Sequence, residues 1–421
     1  MTIEINDAAP GSTIAGDGSL RQGEWGPGAA HARGPRGVVP RGRTQPRADT
    51  VGSLLRGDAV VGAARRSSPA DGALLNDAVR DAIMLQEEIG LDVITDGEVR
   101  RLSWAQTPRF VDAFATSAEA DAGSRTGSGT DSGALNWRGG GEGVFGASGS
   151  GSRPPGYPVV VRRIATAKRL GDMTAEYSFL ARYARARTKF TMAAPSYHRR
   201  YWSPARSAAV YDSCEEYLTE VRDYLRSVVA ALVALGCDYI QLDAPNYGSL
   251  CDPDTRAAMI ASGRDLDAEL AFDAALDSSL FDGVTGVTSA LHVCRGNGPA
   301  GAWHSAGGYG VISGALFPRL AMDRLLLEYD SDRAGGFEAL RDVCESTAVV
   351  LGLLTTKSPR IEYDDDVLAR IAEAARYKPL DELALSTQCG FASVPIANPV
   401  TPAIQRAKLD LVVRLARRVW G

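Results

Sequence analysis

The stretch ALLNDAVRDAIMLQEEIG (residues 73–90) runs directly into LDVITDGE (residues 91–98). In the first part Leu75, Ala78, Val79, Ala82, Ile83 and Ile89 recur at helical spacing, with acids and an arginine between them. Gly90 then supplies the residue that most readily ends a helix. In the second part an apolar run passes into a polar tip at Thr95, Asp96 and Glu98, as a buried strand does when it reaches the rim of a sheet. Helix, short turn, strand and polar tip form the repeating unit of a parallel α/β sheet.

The same unit recurs on both sides of this stretch. Residues 48–53 form a short strand ending in Gly52 and Ser53, and 157–164 form another. A helix at 174–186 leads to the strand 189–196, stopped by Pro195. A helix at 213–235, closed by Gly236, leads to the strand 237–245. Strands follow at 287–294, 324–328, 348–354 and 383–386, with helices at 366–376 and 403–419. That makes nine strands, one more than a (β/α)8 TIM barrel holds, so either 383–386 or 157–164 is expected to lie outside the regular barrel. A doubly wound open sheet is the alternative. Polar residues end nearly every strand (Ser53, Glu98, Ser196, Asp243, His292 with Cys294, Glu328, Lys357), which favours the barrel, because barrels build sites from many strand ends and open sheets use one crevice.

Composition narrows the function classes. With 421 residues and 45% hydrophobic content the chain can bury a large core. Residues 1–46 mix Gly, Pro, Arg and Ala without periodicity and are expected to be a disordered tail, leaving 47–421 as one catalytic domain. A Gly/Ser/Thr-rich run at 116–156 is expected to be a flexible insertion. The six cysteines are scattered, which suits a reduced, cytoplasmic setting. A formal charge of −5 gives no basic footprint for nucleic acid, and no apolar run reaches the length of a membrane span. A small molecule is the expected partner, and a homo-oligomer is compatible with the composition.

His292 and Cys294 stand two apart at the end of a strand, so they share a face and can share a metal ion. Glu328 and Cys389 end two further apolar runs, and the four together suit a zinc site. Two cysteinates and a glutamate bring three negative charges, so such a site favours holding a substrate thiol as thiolate over Lewis-acid hydrolysis. Glu98 and Asp243 end two other strands and suit a substrate ammonium group. Free backbone N–H groups around Val51, Gly52 and Ser53 suit an anion, Ser196 adds a polar strand end on the same side, and Lys357 suits an anionic donor. Taken singly, each of these residues has a plain structural role as an alternative.

Together, the stretches VGSLLR (51–56), TDGEVRR (95–101), QLD (241–243), HVCRGN (292–297), LEYD (327–330), TTKSP (355–359) and QCGF (388–391) resemble the catalytic domain of cobalamin-independent methionine synthase, and more closely its short single-domain relatives. The resemblance covers about residues 48–421. It implies a (β/α)8 barrel whose Zn2+ binds the sulfur of homocysteine, which then takes a methyl group from a folate. It also implies that the amino acid is held by the backbone around Gly52 and Ser53 and by Glu98 and Asp243. This chain departs from the family's pattern at Ala244, at Ala194-Pro195-Ser196 where a tryptophan is expected, and at Lys357 where a histidine is expected. All three departures fall on the donor side. The resulting expectation is a zinc-dependent S-methyltransferase acting on homocysteine or a similar amino-acid thiol, with the alkyl or methyl donor open and folate one candidate. The alternatives are transfer of another electrophile, such as an epoxide, to a different thiol, and a zinc-binding barrel without catalysis.

Overall fold

A computed structural model describes residues 45–66, 68–116, 138, 158–169 and 171–421. The expected tail at 1–46 and insertion at 116–156 lie outside the described residues, apart from 45, 46, 116 and 138. Ten strands are present among the described residues: β1 Val93–Ile94, β2 Phe114–Thr116, β3 Pro158–Val160, β4 Arg187–Thr188, β5 Phe190–Ala193, β6 Tyr239–Asp243, β7 Thr288–Val293, β8 Arg324–Glu328, β9 Ala348–Leu354 and β10 Leu383–Thr387.

β5 to β10 form a six-stranded sheet in sequence order, and every pairing in it is parallel. All residues of these six strands are buried, which explains their near-continuous apolar runs. Parallel pairing continues beyond both edges. β1 pairs with β4, and the Lys189 amide between β4 and β5 donates to Ile94 O at 2.8 Å. At the other edge Ala48 bridges Leu385 in parallel, with Asp49 N donating to Leu385 O at 2.9 Å and Leu385 N to Arg47 O at 2.8 Å. The Asp92 amide then donates to Ala48 O at 3.1 Å. Inside, Val51, Val93, Tyr239, Ala290, Leu326, Val350 and Ala384 pack into one cluster together with Cys294 and Cys389.

Of the two strands in question, 383–387 belongs to the sheet. The segment at 158–160 lies outside it and pairs antiparallel with β2, a strand the sequence pattern did not reveal. Helices at Gly72–Ile89, Thr174–Tyr183, Cys214–Ala234, Asp364–Ala374 and Pro402–Trp420 match the helical periodicities. The first ends on Gly90 at φ 85°, a left-handed cap. The helix at Cys214–Ala234 begins with a serine cap, Glu216 N donating to Ser213 Oγ at 3.1 Å, while Glu216 Oε2 accepts from the preceding Asp212 N at 2.8 Å. No helix among the described residues is long and apolar enough to cross a membrane.

The loop after β5 holds a buried histidine with a definite tautomer. His198 Nδ1 lies 2.9 Å from Ala194 O and Nε2 lies 2.8 Å from Thr107 Oγ1. The carbonyl accepts only, so Nδ1 carries the proton and Nε2 accepts from the threonine. Burial holds this imidazole neutral, with its pKa lowered to about 4. The unfolded chain protonates His198 near its ordinary 6.5 while the folded chain does not. Stability is therefore fully present above that value and falls as pH drops towards 4, by about 3 kcal/mol from this residue. Urea unfolding between pH 7 and 4 should show this slope, and His198→Phe should flatten its share of it.

Candidate metal centre

Parallel pairing sends the C-terminal ends of β5 to β10 to one side, and the candidate ligands sit there. His292 lies near the end of β7 with Cys294 just beyond it, Glu328 ends β8, and Cys389 follows β10. All four are buried, and their ligand atoms lie within 4.8 Å of one another. The Cys294 and Cys389 Sγ atoms are 3.7 Å apart, both free thiols. A tetrahedral ion with metal–sulfur bonds near 2.3 Å sets two sulfurs about 3.8 Å apart, so the spacing fits zinc.

The histidine supplies a second test of fit. Its Nδ1 donates to Leu326 O at 3.2 Å, while Nε2 is buried with no oxygen or nitrogen partner and only the Cys389 thiol beside the ring. A backbone carbonyl that fixes one ring nitrogen as donor leaves the other as a lone pair for a metal. Glu328 Oε1 accepts from Arg295 N at 2.9 Å, and Arg333 Nη2 stands 3.4 Å from Oε2. Gly296 N donates to Cys294 Sγ at 3.3 Å, a contact that suits a thiolate.

The four buried side chains strongly perturb one another. Burial opposes charging His292, yet Cys389, Asp243 and Glu328 around it raise its pKa to about 9. The hydrogen bond from Cys294 holds Cys389 well below the ordinary thiol range, and the same bond with burial pushes Cys294 well above it. Burial, with Cys389 nearby, also pushes Glu328 up. A divalent cation bound among these groups would oppose protonation of His292 and Cys294.

Beside this cluster lie the two acids. Asp243 is the register partner of His292 across β6 and β7, and its Oδ1 accepts from Gln241 Nε2 at 2.8 Å. Burial pushes its carboxyl up to about 7, relieved by His292 and reinforced by the charge of Glu98. Glu98 stands on left-handed backbone at φ 53°, unusual for a residue with a side chain. Its Oε1 accepts from Thr191 Oγ1 at 2.7 Å and lies 3.4 Å from Arg101 Nη1. A Cβ at Gly52 would collide with the Glu98 carboxylate, so glycine there keeps the acid in its place.

The other expected site residues are placed as follows. The 48–53 segment, expected as a strand, pairs only through an isolated bridge at Ala48. Val51 O accepts from Gln241 Nε2 at 2.9 Å, which ties it to the Asp243 side, and Ser53 O accepts from Phe391 N at 2.7 Å, which ties it to the Cys389 loop. Ser196 is engaged by Asp277, through its amide at 2.9 Å and its hydroxyl at 2.6 Å, and accepts from Asn246 Nδ2 at 3.0 Å. Lys357 Nζ donates to Gly296 O at 2.7 Å and Asn297 Oδ1 at 2.9 Å. Residues unassigned from sequence also shape the site. Arg101 and Arg295 stand inside conspicuous motifs and were readable in principle, whereas Thr191 carries no local signal.

A parallel α/β sheet with a buried His/Cys/Glu/Cys cluster at its strand ends defines the class: an α/β protein whose strand-end side chains could hold a metal ion. Residues 148–416 match the family described as cobalamin-independent synthase, catalytic domain, and the chain belongs to that family, one of zinc-dependent methyltransferases. Two Bacillus subtilis (strain 168) proteins, YxjH and YxjG, both uncharacterized, are 33% and 31% identical over 394 and 396 residues, covering 89% of this chain and 94% of each of theirs. Among solved structures, a Listeria monocytogenes protein assigned to the vitamin-B12 independent methionine synthases aligns with a TM-score of 0.64 at 23% identity, covering 90% of this chain and 99% of that one. A B12-independent methionine synthase from Shewanella sp. W3-18-1, in complex with selenomethionine, aligns at 0.58 and 18% identity, covering 88% and 96%. At these identities the structural likeness speaks for the fold.

Proposed function

We propose that residues 47–421 form a (β/α)8 barrel that acts in the cytoplasm as a zinc-dependent thiol alkyltransferase, methylating homocysteine or a similar amino-acid thiol. The hydrogen-bonded succession from 47–49 through β1, β4–β5 and β6 to β10, and back to 47–49, supports the barrel. The observation that carries the function is the buried imidazole of His292, with Nε2 turned away from any oxygen or nitrogen, gathered with two thiols 3.7 Å apart and a carboxylate within 4.8 Å. Zinc held by His292, Cys294, Glu328 and Cys389 would supply the means of keeping a substrate thiol deprotonated at neutral pH.

The protein's own groups do the rest. Glu98, steadied by Thr191 and Arg101, and Asp243, steadied by Gln241, accept the ammonium group of the amino acid. The backbone at Val51, Gly52 and Ser53 faces its carboxylate. This fixes the sulfur at the metal end and turns an encounter between two molecules into a positioned one. A different donor, with the same thiol chemistry, is favoured by one specific observation: Ser196 and Lys357, both on the donor side, are engaged by protein groups.

The test is to incubate zinc-loaded protein with homocysteine and a panel of methyl and alkyl donors and to identify products by mass spectrometry. No alkylated thiol with any donor would leave the non-catalytic alternative. In the same assay Glu98→Gln, which keeps the bond from Thr191 but loses the charge, should raise KM for homocysteine by about 10-fold to 100-fold. It should leave a simple alkyl thiol almost unaffected, and equal losses for both would remove the ammonium role.

A further inference from the structure

We infer that Lys357 is the counter-charge of the metal centre, a positioning residue whose ammonium group offsets the excess negative charge of the His292, Cys294, Glu328 and Cys389 set. The inference rests on the zinc reading above and gives Lys357 a task other than meeting a donor.

The charge balance requires such a group. Two thiolates and a carboxylate carry three negative charges against two on zinc, so the filled site is left with one unit of excess negative charge. Each of the four ligands is buried, and an uncompensated charge in such surroundings is costly. Bringing in a substrate thiolate adds another.

The nearby arginines are occupied. Arg333 Nη2 lies 3.4 Å from Glu328 Oε2 but 3.2 Å from Asp330 Oδ1, so one charge serves two carboxylates. Arg295 stacks on the Tyr309 ring at 4.1 Å and donates to Gly307 O. Lys357 differs from Arg333 in that its two acceptors, Gly296 O and Asn297 Oδ1, are neutral oxygens, so no carboxylate outside the ligand set consumes its charge there. Arg295, whose partners are also neutral, is held at Tyr309 and Gly307 instead.

Its position is also fixed where it counts. Gly296 and Asn297 continue the loop of Cys294, and Asn297 Nδ2 donates to Gly390 O at 2.8 Å, the residue after Cys389. Asn398 Nδ2 donates to the same Asn297 Oδ1 at 3.0 Å. The ammonium group is thus pinned where the two cysteine loops meet.

Charge and hydrogen bonding can be separated by substitution. Lys357→Gln offers a neutral donor, Lys357→Arg a charged one, and Lys357→Met neither. Zinc affinity is measured by competition with a chromophoric chelator, and melting of the metal-free proteins checks that they fold. Lys357→Gln and Lys357→Met should each lose about 10-fold or more in affinity, with Lys357→Arg within about threefold of wild type. In cobalt-substituted protein, the pH midpoint at which homocysteine adds its thiolate absorption band should rise by about one unit in Lys357→Gln. Wild-type affinity and midpoint in Lys357→Gln would overturn the inference, as would a Lys357→Arg protein as weak as Lys357→Gln. A wild-type protein without zinc affinity would instead overturn the proposed function, and this inference with it.

Discussion

Cys389→Ser is expected to lower bound zinc from near one equivalent to a trace after dialysis against a weak chelator, and to abolish alkyl transfer. Cys389 is 5% exposed and its sulfur lies 3.7 Å from that of Cys294, the spacing of two sulfurs on one tetrahedral ion. A serine hydroxyl is shorter, harder and far less acidic than a thiol, and it cannot reach the metal–sulfur distance of about 2.3 Å. Loss of a direct ligand should exceed the 10-fold to 100-fold typical of the groups that merely orient one. Metal analysis by mass spectrometry on dialysed protein reads this directly. Cys251→Ser is the control: that thiol is buried, but it lies outside the ligand cluster, so zinc content should be unchanged. Retention of a full equivalent of zinc in Cys389→Ser would show that Cys389 is not a ligand.

The largest loss of stability is expected from Lys189→Met. Lys189 and Asp49 are both fully buried, with Nζ 2.7 Å from Asp49 Oδ1 and 2.8 Å from Gln241 Oε1. Asp49 Oδ2 accepts from Tyr239 OH at 2.8 Å, and Arg324 Nη2 lies 3.9 Å away. Gln241 hands the chain of contacts on to Val51 O and Asp243. Methionine fills a similar volume but leaves the aspartate without its nearest cation, which costs about 3–5 kcal/mol. Calorimetry should show a fall in Tm of about 5 °C. Lys189→Met with Asp49→Asn should recover part of it, because the stranded charge is gone. A Tm for Lys189→Met within a degree of wild type would refute the pairing. The same change should loosen Asp243, so a rise in KM for homocysteine is expected beside the loss of stability.

This network marks the boundary of what local sequence carries. The helix and strand around Gly90, the strand ends, and the four candidate ligands were legible because they depend on periodicity and on side chains with narrow chemistry. Lys189, by contrast, opens an apolar run and reads as an ordinary polar strand edge. Its burial is decided by Asp49, 140 residues away. Thr191 is likewise silent until folding sets it against Glu98. The nine-strand ambiguity had the same source: 383–387 and 158–160 look alike as short apolar runs, and only their pairing partners tell them apart. The helix at Leu266–Ser279 is silent in the sequence because alanine and aspartate blur its apolar stripe, and the nine-residue helix at Asp58–Arg66 because it is too short to establish a period. The left-handed backbone at Glu98 has no signature beyond the neighbouring Gly97.

The pairing of residues 47–49 with β10 bears on how the chain reaches this state. Arg47 Nη1 donates to Leu383 O at 2.6 Å across a separation of 336 residues. The strands between them can pair one by one with near neighbours, each closing a modest loop, whereas this seam brings together positions far apart in the chain. Its entropic penalty grows only slowly with length, but it is met by few contacts until every other strand is in register. Assembly on a ribosome is therefore incomplete until the last strand has emerged, and until then the first segment waits with its amides exposed to whatever else offers them a partner.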